Sequence, residues 1–202
     1  MILRYMRPGD IAQVVAIDRA AFSMPWTASS YAYEIIDSKY SHMLALEEPV
    51  LPNNEHDARG WKRLIRNFHS RDHGRILGYG GLWCIADEAH ISTIATHPDE
   101  RGKGYGELLL AAMIRKAIYC HAAYIVLEVR VSNTVAQNLY HKYEFDVVDV
   151  KSGYYRDNNE DAYDMRLTLT KPGVIERFND RWNVLHHQKH FHDFYTQRKQ
   201  RY

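Results

Sequence analysis

The sequence predicts a mixed α/β domain, with a central, mixed but mostly antiparallel sheet of about seven strands flanked by about four helices. Three observations predict it. Short runs rich in β-branched and aromatic residues recur between turn signals up to about residue 170. Longer segments between them repeat apolar residues at helical spacing. The order mixes strands that adjoin directly with strands separated by a helix, so antiparallel and βαβ parts share one domain. With 202 residues, 46% hydrophobic and 25% charged, the chain fits one core-forming domain with appendages.

The elements follow in order. ILRYMR (2–7) alternates well enough for a short strand and is broken by Pro8-Gly9-Asp10. Asp10 is placed to cap a helix in which Ile11, Val14, Val15, Ile17 and Ala21 recur at helical spacing. Ser23-Met24-Pro25-Trp26 forms a loop, and Thr27 or Ser29 starts a second helix that runs to about Ile36. HMLAL (42–46) is a strand. Residues 47–75 turn polar and then basic, an inserted excursion with a short amphipathic helix near Trp61–Phe68. Two strands, 76–85 and 89–96, then join through Asp87-Glu88 as a hairpin. ELLLAAMIRKAIY is an unbroken helix, and YIVLEVR (124–130) is a β-branched strand. Ser132 is placed to cap a fourth helix, NTVAQNLYHKY, before two closing strands, EFDVVDV and DAYDMRLTL.

The domain is therefore assigned to residues 1–170, with Pro172-Gly173 marking the start of a 171–202 tail. That tail carries seven Lys/Arg, three Asp/Glu, four histidines and several aromatics, and it reads as a basic, solvated appendage. The formal net charge is +1, so any attraction to nucleic acid has to be local. Charges at Arg4, Arg7 and Asp10 argue against a secretory signal, and no run of about 18 apolar residues suggests a membrane span. Cys84 and Cys120 have no metal-ligand spacing, so free thiols, a cytoplasmic setting and no metal are expected.

One segment carries chemistry. After strand 89–96, a polar loop leads to Arg101, Gly102, Lys103, Gly104, Tyr105, Gly106 and Glu107, where the chain enters a helix. Glycines admit positive φ and close backbone approach, and the first helical N–H groups have no intrahelical partner. Such a corner binds a pyrophosphate, to which Arg101 and Lys103 add positive charge. A glycine-rich connection that merely turns has the same look. A dinucleotide-binding unit also runs strand, glycines, helix and strand, with an acidic residue near the place of Glu128. The spacing here is G-x-G-x-G, however, and only one such βαβ unit is present. No Gly-Lys-Ser/Thr occurs, which excludes a P-loop.

The stretch RGKGYG (101–106) resembles the R/Q-x-x-G-x-G/A signature of the GNAT acetyltransferase superfamily. LEVRVSNTVAQNLYHKYEF (127–145), AFSMPW (21–26) and GYYRDNNEDAYDM (153–165) are similar to further motifs of its RimI-type ribosomal-protein alanine and archaeal N-terminal acetyltransferase branch. Together they cover about residues 2–169, except 47–75. The departures are Glu144, where the family usually has glycine, and Glu107, where a basic residue is common.

The resemblance implies a GNAT fold, acetyl-CoA as cosubstrate, and a splay between strands 89–96 and 124–130 that admits the pantetheine arm. It implies that Ile94, Ala95, Thr96, the 101–107 segment and Asn133 bind the cofactor. It also implies that Glu128 is the general base and Tyr140 the general acid. By residue chemistry alone, a salt bridge for Glu128 and a core aromatic for Tyr140 are the commoner readings. A phenol with pKa about 10 is competent to protonate a thiolate whose conjugate acid lies near 8.5. Pro25, Trp26, Tyr154 and Tyr155 are candidate walls for an acceptor peptide, with core packing an alternative for Trp26.

The resemblance favours a protein N-terminal amine as acceptor, a ribosomal-protein alanine being the specific expectation. An α-amine has pKa near 7.7–8.0 against about 10.4 for lysine, so more of it is neutral at pH 7. Acetylation of lysines or small amines is the alternative. A different class, a ribosome- or RNA-associated module using residues 58–75 and the tail, would exploit the basic and aromatic residues there.

Overall fold

The protein is described by a computed structural model over residues 1–49 and 74–197. Most of the 47–75 excursion, with the helix expected near Trp61–Phe68, lies outside the described residues. Its edges do not: Glu47 and Glu48 end β2 (Ser41–Glu48) and face Ile76 and Arg75 at the start of β3 (Arg75–Ile85).

The described residues form one sheet of eight strands in the order β6-β7-β5-β4-β3-β2-β1-β8, with five α-helices. The remaining strands are β1 (Ile2–Tyr5), β4 (Glu88–Thr96), β5 (Tyr124–Arg130), β6 (Asp146–Tyr155), β7 (Glu160–Thr168) and β8 (His192–Phe194). The helices are α1 (Ile11–Ala21), α2 (Ala28–Ile36), α3 (Tyr105–Tyr119), α4 (Thr134–Lys142) and α5 (Val174–Lys189). The class is the mixed α/β one expected, with one more strand and one more helix than the sequence suggested.

Both extra elements come from residues 171–197. The reading of this segment as a solvated tail is corrected: α5 buries Val174, Phe178, Trp182 and Leu185, and β8 pairs in parallel with β1. The physical reason lies in α3. Leu108 through Ile114 are seven consecutive buried residues, so the helix is apolar on every side and requires a cover on the face away from the sheet. The α5 side chains belong to the same core cluster, and the Arg115 guanidinium lies 5.0 Å from the Trp182 ring centroid. A second core on the other face of the sheet holds α1 and α2 through Val14, Val15, Ile17, Tyr31 and Ile35.

Two helix starts differ from expectation. Asp10 makes no side-chain cap for α1; it is fully buried and accepts hydrogen bonds from the Arg4 guanidinium at 2.6 and 2.9 Å and from the Arg7 amide at 2.7 Å. A buried cation made a stronger claim on that carboxylate than the helix end did. At α4 the cap is Asn133, not Ser132: its Oδ1 accepts from the Ala136 amide at 3.1 Å. Thr27 caps α2, accepting from the Ser30 amide.

The topology places the site. Antiparallel β3 and β4 pair along most of their length, whereas β4 and β5 run parallel and pair only from Glu88–Tyr124 to His90–Val126. Past His90 the pairing ends, leaving Ile91–Thr96 without a strand on that side among the described residues. This is the splay that the sequence led us to expect between the fourth and fifth strands.

Candidate active site

The far end of the splay is closed by the glycine corner. β4 ends at Thr96, a 3-10 turn spans Pro98–Glu100, and α3 begins at Tyr105. Gly102 and Gly104 both hold φ of +77°, left-handed backbone that an L side chain adopts only with strain. A Cβ on Gly102 would meet nothing within 4 Å, so that part of the corner is open space. The amides of Tyr105, Gly106 and Glu107 in the first turn of α3 have no intrahelical acceptor. Together they give a short cradle of N–H groups at the positive end of a 15-residue helix.

The charged residues here divide. Arg101 is exposed at the rim. Lys103 donates to buried Glu100 at 2.8 Å, and Arg75 also pairs with Glu100 at 2.8 Å, so Lys103 braces the loop. Glu107 turns away from the corner, accepting from Lys142 at 2.6 Å and the Tyr143 hydroxyl at 2.9 Å. A cation that the sequence did not suggest replaces them: Lys189, at the end of α5, donates to the Lys103 carbonyl at 2.6 Å, and its Nζ lies within 2.9 Å of where a Gly104 Cβ would be. Ile94, Ala95 and Thr96 line the β4 edge of the splay, with Ala95 and Thr96 held to β3 opposite Tyr79 and Gly78.

Glu128 stands where the strands part. Leu127 and Val129 are buried in the core beneath α3, so alternation turns Glu128 and Arg130 to the opposite face. The Glu128 Oε2 lies 2.8 Å from His90 Nε2, a bond that spans the opening of the splay. Its Oε1 accepts from Lys151 at 2.6 Å, and Lys151 also pairs with Asp164 at 3.0 Å. Burial pushes this carboxyl up, but the bonds from His90 and Lys151 outweigh it and hold it at about 2. The ion pair foreseen as the alternative for Glu128 is thus present, with partners the sequence did not suggest. Glu128 and Asp164 thus share the one Lys151 ammonium.

Aromatic rings continue from this point. Trp83, in register with His90, meets the His90 ring edge-on at 5.4 Å. Trp26 stacks on Trp83 at 6.3 Å, and Trp83 Nε1 donates to Glu34 at 2.9 Å. The Trp26 amide donates to buried Asp18 at 2.6 Å, which fixes the Pro25-Trp26 loop to α1. On the other side, Tyr154 and Tyr155 meet edge to face at 5.2 Å, and the Arg130 guanidinium sits 3.9 Å over the Tyr155 ring. Arg130 pairs with Asp157 and Glu160, and Ser23 donates to Asp157 at 2.6 Å. These bonds tie the α1–α2 loop to the β6–β7 hairpin, so aromatic residues of both flank the face that carries Glu128.

Tyr140 lies on the opposite side of the sheet. Asn133 and Tyr140 share α4, but Asn133 is exposed at the helix cap whereas Tyr140 is buried against Phe145. Burial raises the Tyr140 hydroxyl above the ordinary phenol value, as does nearby Tyr155. Glu128 and Tyr140 therefore lie on opposite faces of the sheet.

Trp83, His90, Lys151 and Lys189 were not singled out from the sequence. One signal was available: the hairpin turn after Ile85 fixes the register that sets Trp83 opposite His90. Lys151 and Lys189 depend on pairings between distant segments.

A central sheet splayed beside a parallel strand pair, with a glycine corner opening a helix at the splay, defines the class. The chain belongs to the acetyltransferase (GNAT) family, whose sequence pattern matches residues 12–145. Among its relatives is a Bacillus subtilis (strain 168) protein provisionally named ribosomal protein bS18-alanine N-acetyltransferase, 32% identical over 169 residues, 84% of this chain and 96% of the relative. The fold is similar to the crystal structure of the ribosomal-protein-S18-alanine N-acetyltransferase from Escherichia coli, with TM-score 0.65, 24% identity and coverage of 85% of this chain and 95% of that one. It is also similar to a chain in the crystal structure of the NatC complex bound to Gag peptide and CoA, with TM-score 0.62, 21% identity and coverage of 84% and 100%.

Proposed function

We propose that this chain transfers the acetyl group of acetyl-CoA to a protein N-terminal α-amine, with the N-terminal alanine of ribosomal protein bS18 as the acceptor. The observation that carries the reading is the Glu128–His90 bond at the mouth of the splay, between the glycine corner and the flanking aromatic residues. The named relatives support the acceptor. The NatC complex, bound to both a peptide and CoA, supports a peptide acceptor and a CoA cosubstrate.

The residues fit the cosubstrate. The open space at Gly102, the first amides of α3 and Lys189 suit a pyrophosphate, and the unpaired edge Ile94–Thr96 suits an extended amide-bearing arm. Acetyl-CoA supplies the activated thioester. Every other part of the reaction falls to the chain. The Glu128 and Asp164 carboxylates, which share one ammonium, draw a protonated α-amine toward Glu128. A carboxylate held at about 2 stays ionised and hands on any proton it accepts. His90, bonded to it and half-buried, provides the path to solvent. The Tyr140 hydroxyl, kept protonated by burial, is the proton donor on the opposite face.

Lysine side chains and small amines are the competing acceptors. The test incubates the chain with acetyl-CoA and a peptide of the bS18 N-terminus, with the α-amine free or blocked and a lysine in both. Mass gain on the free α-amine alone supports the proposal; gain on the blocked peptide's lysine overturns it.

A further inference from the structure

Away from the Glu128 face, the fold gathers three side chains that the sequence keeps far apart. His42 on β2, Cys84 near the end of β3 and Cys120, the residue that ends α3, offer one ligand atom each, and these atoms all lie within 4.8 Å of one another. We propose that His42, Cys84 and Cys120 form a binding site for a thiophilic divalent cation of the zinc class, with a fourth position open to water or an exogenous ligand.

The ligand set is the first argument. Two thiolates and an imidazole are the donors zinc takes in tetrahedral sites with an open position. His42 Nε2 lies 3.7 Å from Cys120 Sγ, close to the separation of roughly 3.6 Å that bonds of about 2.0–2.3 Å around a tetrahedron impose. The remaining separations are at most 4.8 Å, so a contraction of no more than about 1.2 Å completes the triangle.

The supporting shell is the second. The Tyr5 hydroxyl is 3.0 Å from His42 Nδ1, which leaves Nε2 directed at the thiols and fixes the ring, the arrangement a metal-bound histidine uses. The Tyr195 hydroxyl donates to the His42 carbonyl at 2.9 Å, and its ring packs 4.9 Å from that of Tyr5. The segment after β8 thus covers the cluster. The fully buried Lys116 places its ammonium 5.2, 4.9 and 5.3 Å from the Tyr5, Tyr119 and Tyr195 ring centroids. All three ligands are half-buried, which leaves an entry path.

The site is distinct from the acetyl-transfer machinery. Cys84 points to the α3 face, whereas its neighbour Trp83 points to the face that carries Glu128.

The test uses the full chain with its thiols kept reduced by a phosphine. Titration with Co²⁺ is expected to give one equivalent of an intense near-ultraviolet thiolate-to-cobalt band, displaced by Zn²⁺. The histidines near the end of α5 supply no thiolate and cannot produce it. Cys84→Ser and Cys120→Ser should each remove the band, and His42→Gln should weaken binding about tenfold or more, with far-ultraviolet circular dichroism confirming the fold. In the unaltered chain, one equivalent of Zn²⁺ should protect Cys84 and Cys120 together from alkylation, read by peptide mass spectrometry. Cobalt binding without the band, a band indifferent to both serine variants, or alkylation unchanged by Zn²⁺ overturns the proposal. So does formation of a Cys84–Cys120 disulfide on air exposure in a chain that takes up no metal when reduced.

Discussion

Glu128 sits between two donors, and that arrangement has a signed consequence for acid stability. Its folded pKa of about 2 lies below the value near 4.3 expected in the unfolded chain. Its stabilisation is therefore complete above about pH 4.3 and is lost as pH falls toward 2. Glu128→Gln should flatten the loss of stability over that interval, measured as urea midpoints against pH. In kinetics the same variant should lower kcat about a hundredfold or more with KM for acetyl-CoA unchanged; equal damage to both would make the residue structural. Lys189→Met tests the corner in the opposite sense. Losing a charge-assisted contact should weaken CoA binding about tenfold with kcat kept, measured by calorimetric titration. The two residues also show what was legible. Glu128 was singled out because LEVR-x-SN resembles a family motif, a local pattern, whereas Lys189 lies 86 positions beyond the loop it touches. No local spacing expresses that contact.

Among elements, the turn from α4 into β6 explains an oddity of the sequence. Glu144 holds φ of +65°, left-handed backbone that costs a non-glycine residue about 1 kcal/mol. The carboxylate recovers that cost by pairing with Arg177 at 2.6 Å and Arg181 at 2.9 Å, both on α5. The departure from glycine noted in the sequence is thus a docking point for the last helix. Glu144→Ala keeps the strained backbone and loses both pairs, so it should lower Tm by about 2–4 °C. Glu144→Gly relieves the strain as well and should cost less; a scan of both variants checks the order. The four helices and seven strands nearest the expected pattern were legible because each announces its own period. α5 was not: its apolar residues are diluted by charge and histidine, and the requirement for it is written in α3, whose unbroken apolar stretch leaves no polar face for solvent.

For the whole molecule, residues 171–197 are structural, which changes the expected result of removing them. Their loss would expose the outer face of α3 and uncover the edge of β1. Phe178, Trp182 and Leu185 alone account for roughly 1.5–3 kcal/mol each of apolar burial. A chain ending at Lys171 should therefore elute as aggregates in size-exclusion chromatography or unfold at a much lower temperature than the full chain. A soluble fragment of unchanged Tm would refute the packing described here. The mixed sheet was legible from strand order, and the splay was implied by the family resemblance. The closing of the sheet by β8 was not, since a three-residue strand carries almost no pattern of its own.

That closure bears on how the protein is made. One of the two neighbours of β1 is β8, and their paired residues Ile2 and His192 lie 190 positions apart. Contacts of such long sequence separation form slowly, because the intervening loop must be ordered before they repay it. Until α5 and β8 have emerged, the nascent chain carries an apolar helix awaiting its cover and a strand with one side open. Chaperone occupancy of a chain stalled before that point should therefore exceed that of the finished one.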